Sequence, residues 1–235
     1  GVELRAGGNL TLASPWDLFD WHFNGEPGYL TLRAGGDINI NSPVSDGFPA
    51  SASFFNFLGL PTQDSWSYRL TAGADLVSAS PFAVLGDTGA GDFRLAADTH
   101  IRTGTGDIAI AAAGDVRLAN DGSVIYTAGV PVGDLPQAMA DFINIWMPFE
   151  SPALMENGGD ISIVAGGSIV GVPPTKPINN WLWRMGTPVG DTFPSPTMWG
   201  IDFSRFRHGV GALAGGDVTL RAGADIDNVS AAIPS

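Results

Sequence analysis

Leu32-Arg33-Ala34-Gly35-Gly36-Asp37-Ile38-Asn39-Ile40 is the stretch that decides the fold. It occurs first as Leu4-Arg5-Ala6-Gly7-Gly8-Asn9-Leu10-Thr11-Leu12, and shorter copies follow at Leu70 to Leu76, Gly106 to Ile110 and Gly114 to Leu118. Further copies run from Gly158 to Ile163, Ala165 to Val170, Leu213 to Leu220 and Arg221 to Ile226. Self-similarity of this kind marks a repeat architecture. Within the consensus Ala-Gly-Gly-Asp-Ile-x-Ile, glycine at positions such as Gly7, Gly8, Gly35 and Gly36 is expected to supply positive φ at a tight corner. The polar residue that follows is expected to bond the local backbone and close that corner. The corner set is Asp37, Asp75, Asp107, Asp115, Asp160, Asp217 and Asp225. The apolar–x–apolar triplet is a short strand with both apolar side chains on one face.

Spacing selects the architecture. Asp107 to Asp115, Asp160 to Ser168 and Asp217 to Asp225 are each eight residues apart, room for one short strand and one corner. Two-residue hairpin signals between strands are nearly absent, which disfavours an antiparallel meander. Long helical patterns between strands are also mostly absent, which disfavours βαβ winding. The expectation is an all-β parallel β-helix in which each coil stacks on the next and like residues form ladders.

Four aromatic-rich excursions interrupt the repeats, at about 14–29, 41–68, 124–157 and 172–209. They hold all seven tryptophans: Trp16, Trp21, Trp66, Trp146, Trp181, Trp183 and Trp199. One excursion reads as helical, with Asp134 as cap, Leu135, Met139, Phe142, Ile143 and Trp146 on one face, and Pro148 as terminator. The last holds Pro173, Pro174, Pro177, Pro188, Pro194 and Pro196, too many for a regular element, and is expected to be an ordered loop pinned by tryptophans.

Composition narrows the function. Hydrophobic residues make up 44% of the 235 residues and charged residues only 15%, so there is ample apolar surface to form a core. A net charge of −13 repels phosphate backbones, so no nucleic-acid partner is expected. With no cysteine, a continuous core rather than disulfides must hold the chain. No apolar run reaches the roughly 18 residues of a membrane-spanning helix. The chain starts inside a repeat, so it reads as an internal or processed piece whose open ends need covering by neighbouring coils of the same or another chain.

No catalytic or metal-binding set emerges from the residues. Gly104-Thr105-Gly106 and Gly89-Ala90-Gly91 lack the following helix and lysine of a phosphate loop and read as corners. Calcium-binding nonapeptide repeats place Asp after Gly, but the period of eight here leaves Ca2+ unsupported, and no cofactor is expected. His22, His100 and His208 lack metal-ligand spacing and read as packing or surface residues. Asp17, Asp20 and Glu26 share an excursion with Trp16, Trp21 and Tyr29, the mixture of carboxylates and rings found in sugar sites. The alternative to a structural role is therefore a glycan-binding or polysaccharide-active protein, a lyase or hydrolase. The binding candidates are Trp16, Trp21, Trp66, Trp181, Trp183 and Trp199, for which packing over the shaft is the competing role.

Leu32 to Ile40 followed by Ser42-Pro43-Val44-Ser45-Asp46-Gly47-Phe48 resembles the filamentous haemagglutinin-like large exoproteins of Gram-negative bacteria. The repeats carry that resemblance along the whole chain. It implies a right-handed β-helix, two-partner secretion through an outer-membrane transporter, and a place on the bacterial cell surface or in the medium. It also implies a role in adhesion, biofilm or contact-dependent competition, with a host or microbial glycan or receptor as partner. The family's Asn-Pro-Asn-type secretion motifs are not in this stretch, so the expected role is a structural and adhesive segment of shaft, residues 1–235 forming one β-helical segment of a longer exoprotein.

Overall fold

The computed structural model describes residues 1–48, 64–86, 90–131, 153–185 and 198–234. Three parallel six-stranded sheets dominate. The first contains β1 (Val2–Ala6), β4 (Tyr29–Ala34), β7 (Ser67–Ala72), β10 (Ile108–Ala112), β15 (Ile161–Ala165) and β20 (Val218–Ala222). The second contains β2 (Leu10–Leu12), β5 (Ile38–Ile40), β8 (Phe93–Leu95), β11 (Val116–Leu118), β16 (Ile169–Val170) and β21 (Ile226–Asp227). The third contains β3 (Trp16–Asp17), β6 (Val44–Ser45), β9 (His100–Thr103), β12 (Val124–Thr127), β19 (Val210–Ala212) and β22 (Ala231–Ala232). The chain visits the sheets in turn and pairs each strand with its counterpart one coil on, a solenoid-like stacking consistent with a β-helix. The expected eight-residue step is the passage from the first sheet to the second.

Register follows from the repeat. Leu4, Leu32, Leu70, Ile110, Ile163 and Leu220 stand in one row of the first sheet, and Ala6, Ala34, Ala72, Ala112, Ala165 and Ala222 in another. Leu10, Ile38, Phe93, Val116, Ile169 and Ile226 form the matching row of the second. Slipping a strand by one residue would turn its apolar set outward, so burial enforces this register. The core is the inside of the stack, where Leu32, Ile38, Leu70, Phe93, Ile101 and Ile108 have no solvent exposure. Each such side chain contributes about 1.5–3 kcal/mol of burial.

The corners differ in mechanism from the expectation. Corner side chains cap the adjacent coil rather than their own turn. The Asp37 amide donates to Oδ1 of Asn9 (2.9 Å), the Asp92 amide to Oδ1 of Asp37 (2.9 Å) and the Asp115 amide to Oδ1 of Asp92 (2.8 Å). The Ser168 amide then donates to Oδ1 of Asp115 (2.7 Å) and the Asp225 amide to Ser168 Oγ (3.3 Å). A second ladder precedes the first sheet: the Asp160 amide donates to Oδ1 of Asp107 (2.9 Å) and the Asp217 amide to Oδ1 of Asp160 (2.8 Å). Gly7, Gly8, Gly35 and Gly36 do not have positive φ. What requires glycine is close approach. A Cβ on Gly36 would collide with Oδ1 of Asn9, and one on Gly114 or Gly167 would collide with Oδ1 of Asp92 or Asp115. At Gly36, Gly114 and Gly167 the residue before the cap leaves room for the carboxylate or amide arriving from the neighbouring coil, whereas Gly8, in the first coil, has nothing within 4 Å.

Asp75 does not belong to these ladders. Its Oδ1 accepts from the Val77 amide (3.1 Å) in a local turn, and Asp92 takes its place in the third coil. Between them a fifth excursion, not anticipated, leaves at Gly73 and rejoins at Gly91. Both have positive φ, and a Cβ on Gly91 would lie 2.5 Å from the Gly73 Cα, so the loop closes on two glycines. It folds onto the outer face of the first sheet. Thr71 Oγ1 donates to the Pro81 carbonyl (2.7 Å), and the buried Arg33 guanidinium donates to the carbonyls of Asp75 and Ser78.

The anticipated excursions are also narrower than expected, because β3, β6 and β12 lie inside their limits. Two of them pair with each other. β13 (Val130–Pro131), β14 (Ala153–Glu156), β18 (Met198–Ile201) and β17 (Leu182–Met185) form an antiparallel four-stranded sheet. The proline-rich 172–209 segment is thus partly regular: its prolines are confined to 173–177 and 188–196, which leaves both strands free of them. The helix expected after Asp134 lies outside the described residues.

Candidate functional site

Segments of the second, third and fourth excursions meet on the outer face of the third sheet, while the loop from Gly73 to Gly91 lies on the first. Phe48, Val124, Tyr126, Ala128, Trp181, Ile201, Phe206 and Leu213 form a second buried cluster there, separate from the core of the shaft. Trp181 meets Phe206 edge-on at 4.9 Å, and Tyr126 stacks on Phe203 at 5.7 Å and meets Phe48 edge-on at 6.2 Å. Arg102 crosses the sheet beneath, its Nε donating to Ser45 Oγ (2.8 Å) and its guanidinium lying 3.8 Å over the Phe48 ring. Such pairs are worth about 0.5–1.5 kcal/mol beyond their buried area. His100 stands beside Tyr126 at a ring separation of 6.5 Å. Burial, with a smaller contribution from Arg102, lowers its pKa to about 4.

A buried polar centre ties the first excursion to the second. Asp46 is fully buried and accepts from the amides of Gly47 (2.6 Å) and Trp66 (2.6 Å) and from Nε2 of His22 (3.0 Å). The His22 side chain is 4% exposed. Trp66 is buried against the shaft core, and a Cβ on Gly28 would meet its ring at 3.1 Å. The sequence read His22 as a packing or surface residue but gave no sign of its bond to Asp46, since their partnership spans 24 residues.

The tryptophans therefore divide. Trp66 and Trp181 are buried and Trp16 is partly buried against the core, all three in packing positions. Trp146 lies outside the described residues, as do the side chains of Trp183 and Trp199, whose backbones run in β17 and β18. Trp21 is 63% exposed and its neighbour Phe23 is 83% exposed. They flank the inward-facing His22, and a tight turn follows: Asn24 (φ 53°) and Gly25 (φ 77°) close it, and the Glu26 amide donates to the Phe23 carbonyl at 3.0 Å. Asn-Gly is the strongest short-range turn signal in a sequence, and it could have singled out Phe23. The accompanying carboxylates are dispersed, Asp17 accepting from the Phe19 amide (3.0 Å) while Asp20 and Glu26 are exposed. Tyr29 is half-exposed with the Arg69 guanidinium 3.8 Å over its ring.

Among the described residues no three His, Asp or Glu side chains group as metal ligands. The corner carboxylates of Asp37, Asp92, Asp107, Asp115 and Asp160 each accept a backbone amide, whereas Asp217 and Asp225 stand in the last coil, where only their own amides are capped. For Asp37, burial opposes ionisation, but the Arg94 guanidinium and the Asp92 and Gly91 amides outweigh it and hold the carboxyl below its usual range. Comparison with protein-family models, with curated proteins and with solved structures returned no match.

Proposed function

We propose that this chain is a structural and adhesive shaft segment of a secreted, surface-displayed exoprotein of the filamentous haemagglutinin type, built as a right-handed parallel β-helix. The shaft provides length and rigidity, and the excursions make contact. The observation that carries this reading is the separation of roles between the two. The three-sheet stack invests its residues in ladders and caps, while Trp21 and Phe23 face outward just before a two-residue turn. Exposed rings held rigidly are what sugar or receptor recognition needs, because they lose little conformational entropy on contact.

Glycan-array binding by the purified chain tests the reading. Trp21→Ala and Phe23→Ala are expected to abolish the signal with melting temperature unchanged, and Trp181→Ala to unfold the excursion first. An array without hits, or hits indifferent to Trp21 and Phe23, would remove the adhesive role from this face. The alternative, a polysaccharide-active enzyme, would show itself as release of reducing ends from a glycan that the array identifies.

A further inference from the structure

The chain has 11 cationic side chains against 24 carboxylates. Three of the 11 line a single cavity of about 290 Å³: Lys176, the chain's sole lysine, with Arg205 and Arg207, joined by Asn180 and Ser204. In an acidic protein this concentration is local and built. One wall is the 3₁₀ turn Ile178–Asn180, the other the 3₁₀ turn Phe203–Arg205. The Asp202 amide donates to the Trp181 carbonyl at 2.8 Å and joins the walls behind the cavity, and the buried Trp181–Phe206 ring pair fixes them to the third sheet. Gly122 makes room for Arg207, since a Cβ there would collide with Nη1.

The carboxylates near the cavity leave Lys176 and Arg207 available. Asp202 accepts from Arg205 Nε at 3.2 Å and Asp98 from Arg207 Nη1 at 3.1 Å. The Arg207–Asp98 pair is 35% and 69% exposed, and solvent-screened pairs of that kind are worth about 0–1 kcal/mol, so an incoming anion can replace Asp98. Asp121 is engaged by the Thr175 hydroxyl, which with weaker help from Arg207 and Lys176 holds its carboxyl below the usual range. Ser204 Oγ donates to Asp202 and keeps its lone pairs for a hydroxyl donor, and the Asn180 side chain offers both a donor and an acceptor. Among the described residues every lining side chain is polar or charged, which favours a polar anionic ligand over a nucleobase or a lipid tail. Its volume is at the small end for ligand sites.

We propose that this cavity binds one acidic sugar residue, with the carboxylate held by Lys176 and Arg207 and the ring hydroxyls by Asn180 and Ser204. The guanidinium fork of Arg207 matches a planar carboxylate, and Lys176 supplies a point charge beside it. This site stands on a different excursion from Trp21 and Phe23, so its fate and that of the adhesive reading are separable.

Titration calorimetry on the whole 1–235 chain tests it, with a hyaluronan tetrasaccharide and sialyllactose as acidic probes. The methyl ester of the tetrasaccharide and lactose serve as uncharged controls, and dextran sulfate as a generic polyanion. Saturable binding of at least one acidic probe is expected, with its uncharged control about tenfold weaker or worse. Lys176→Ala and Arg207→Ala should each weaken the acidic probe about tenfold, and Lys176→Gln and Arg207→Lys guard against misfolding of either variant. Trp21→Ala should leave it unchanged. The proposal is overturned if neither acidic probe saturates, if the controls bind equally, if both cation variants bind like the parent, or if dextran sulfate alone binds and does so regardless of the variants.

Discussion

The second sheet and the third are made by the same coils, yet their outer faces lead different lives. Along the second sheet the chain turns on repeated corners, and the side chains between coils are a row of caps from Asn9 to Asp225. Along the third sheet, β3 and β6 are only two residues long, and the space outside is filled by Phe48, Tyr126, Trp181 and Phe206 from distant segments. One face is stabilised by repetition, the other by a second core. The lesson is that a solenoid can carry a second core outside one sheet while the ladder of caps beside another keeps the coils in register.

Breaking the second core should have the largest effect. Trp181→Ala removes a fully buried ring and is expected to cost about 3–5 kcal/mol in denaturant unfolding, whereas Trp21→Ala on the exposed turn should cost less than about 0.5 kcal/mol. Similar costs for both would mean that the two rings share one environment. The next contrast lies within the ladder itself. Gly36→Ala drives a Cβ into Oδ1 of Asn9 and should cost about 2–3 kcal/mol, while Gly8→Ala, with nothing within 4 Å, should stay within about 0.5 kcal/mol of the parent. Equal effects would return the glycines to a purely conformational role.

Acid should weaken the third-sheet side in particular. The His100 pKa is lowered from 6.5 to about 4 in the fold, so the unfolded chain takes up the proton first. Its contribution is complete above pH 6.5 and is lost as pH falls through about 4, a change of about 3 kcal/mol. His100→Gln should flatten the stability profile across that window, and a slope identical to the parent's would show that the carboxylates alone set it. The smallest contrast compares two caps. Asp115→Ala strands the Ser168 amide and should cost about 1–2 kcal/mol, but Asp225→Ala, exposed in the last coil, should be close to neutral in thermal melts.

Much of the shaft is legible in the sequence because its physics is local and repeated. The Leu-x-Ala and Ile-x-Ile triplets mark the strands of the first two sheets, and the eight-residue spacing marks the step between them. The third sheet is less legible: Trp16-Asp17, Val44-Ser45 and Ala231-Ala232 are too short to show a period, and pairing with the neighbouring coil makes them strands. Asp75 misled because it copies the consensus while Gly73 has already left the coil, and the true cap, Asp92, follows a loop. At the candidate sites, Asn24-Gly25 was a readable signal for the exposed turn. The cavity of Lys176, Asn180, Ser204, Arg205 and Arg207 had none, because its two walls are more than 20 residues apart and are brought together by the Asp202–Trp181 backbone bond and the Trp181–Phe206 ring pair.

By itself, the sequence determined the class and the rhythm of this protein: an all-β repeat, apolar rows facing inward, glycine and a polar residue at each corner. Those follow from period, side-chain volume and hydrogen-bonding capacity, which every copy states again. Only the tertiary structure decided what the corners bond and where the aromatic side chains go. Whether Asp37 caps its own turn or the amide of Asp92, and whether a tryptophan is buried like Trp181 or exposed like Trp21, depends on which coil lies next to it. That adjacency is set by burial of the whole stack and by no short stretch of chain.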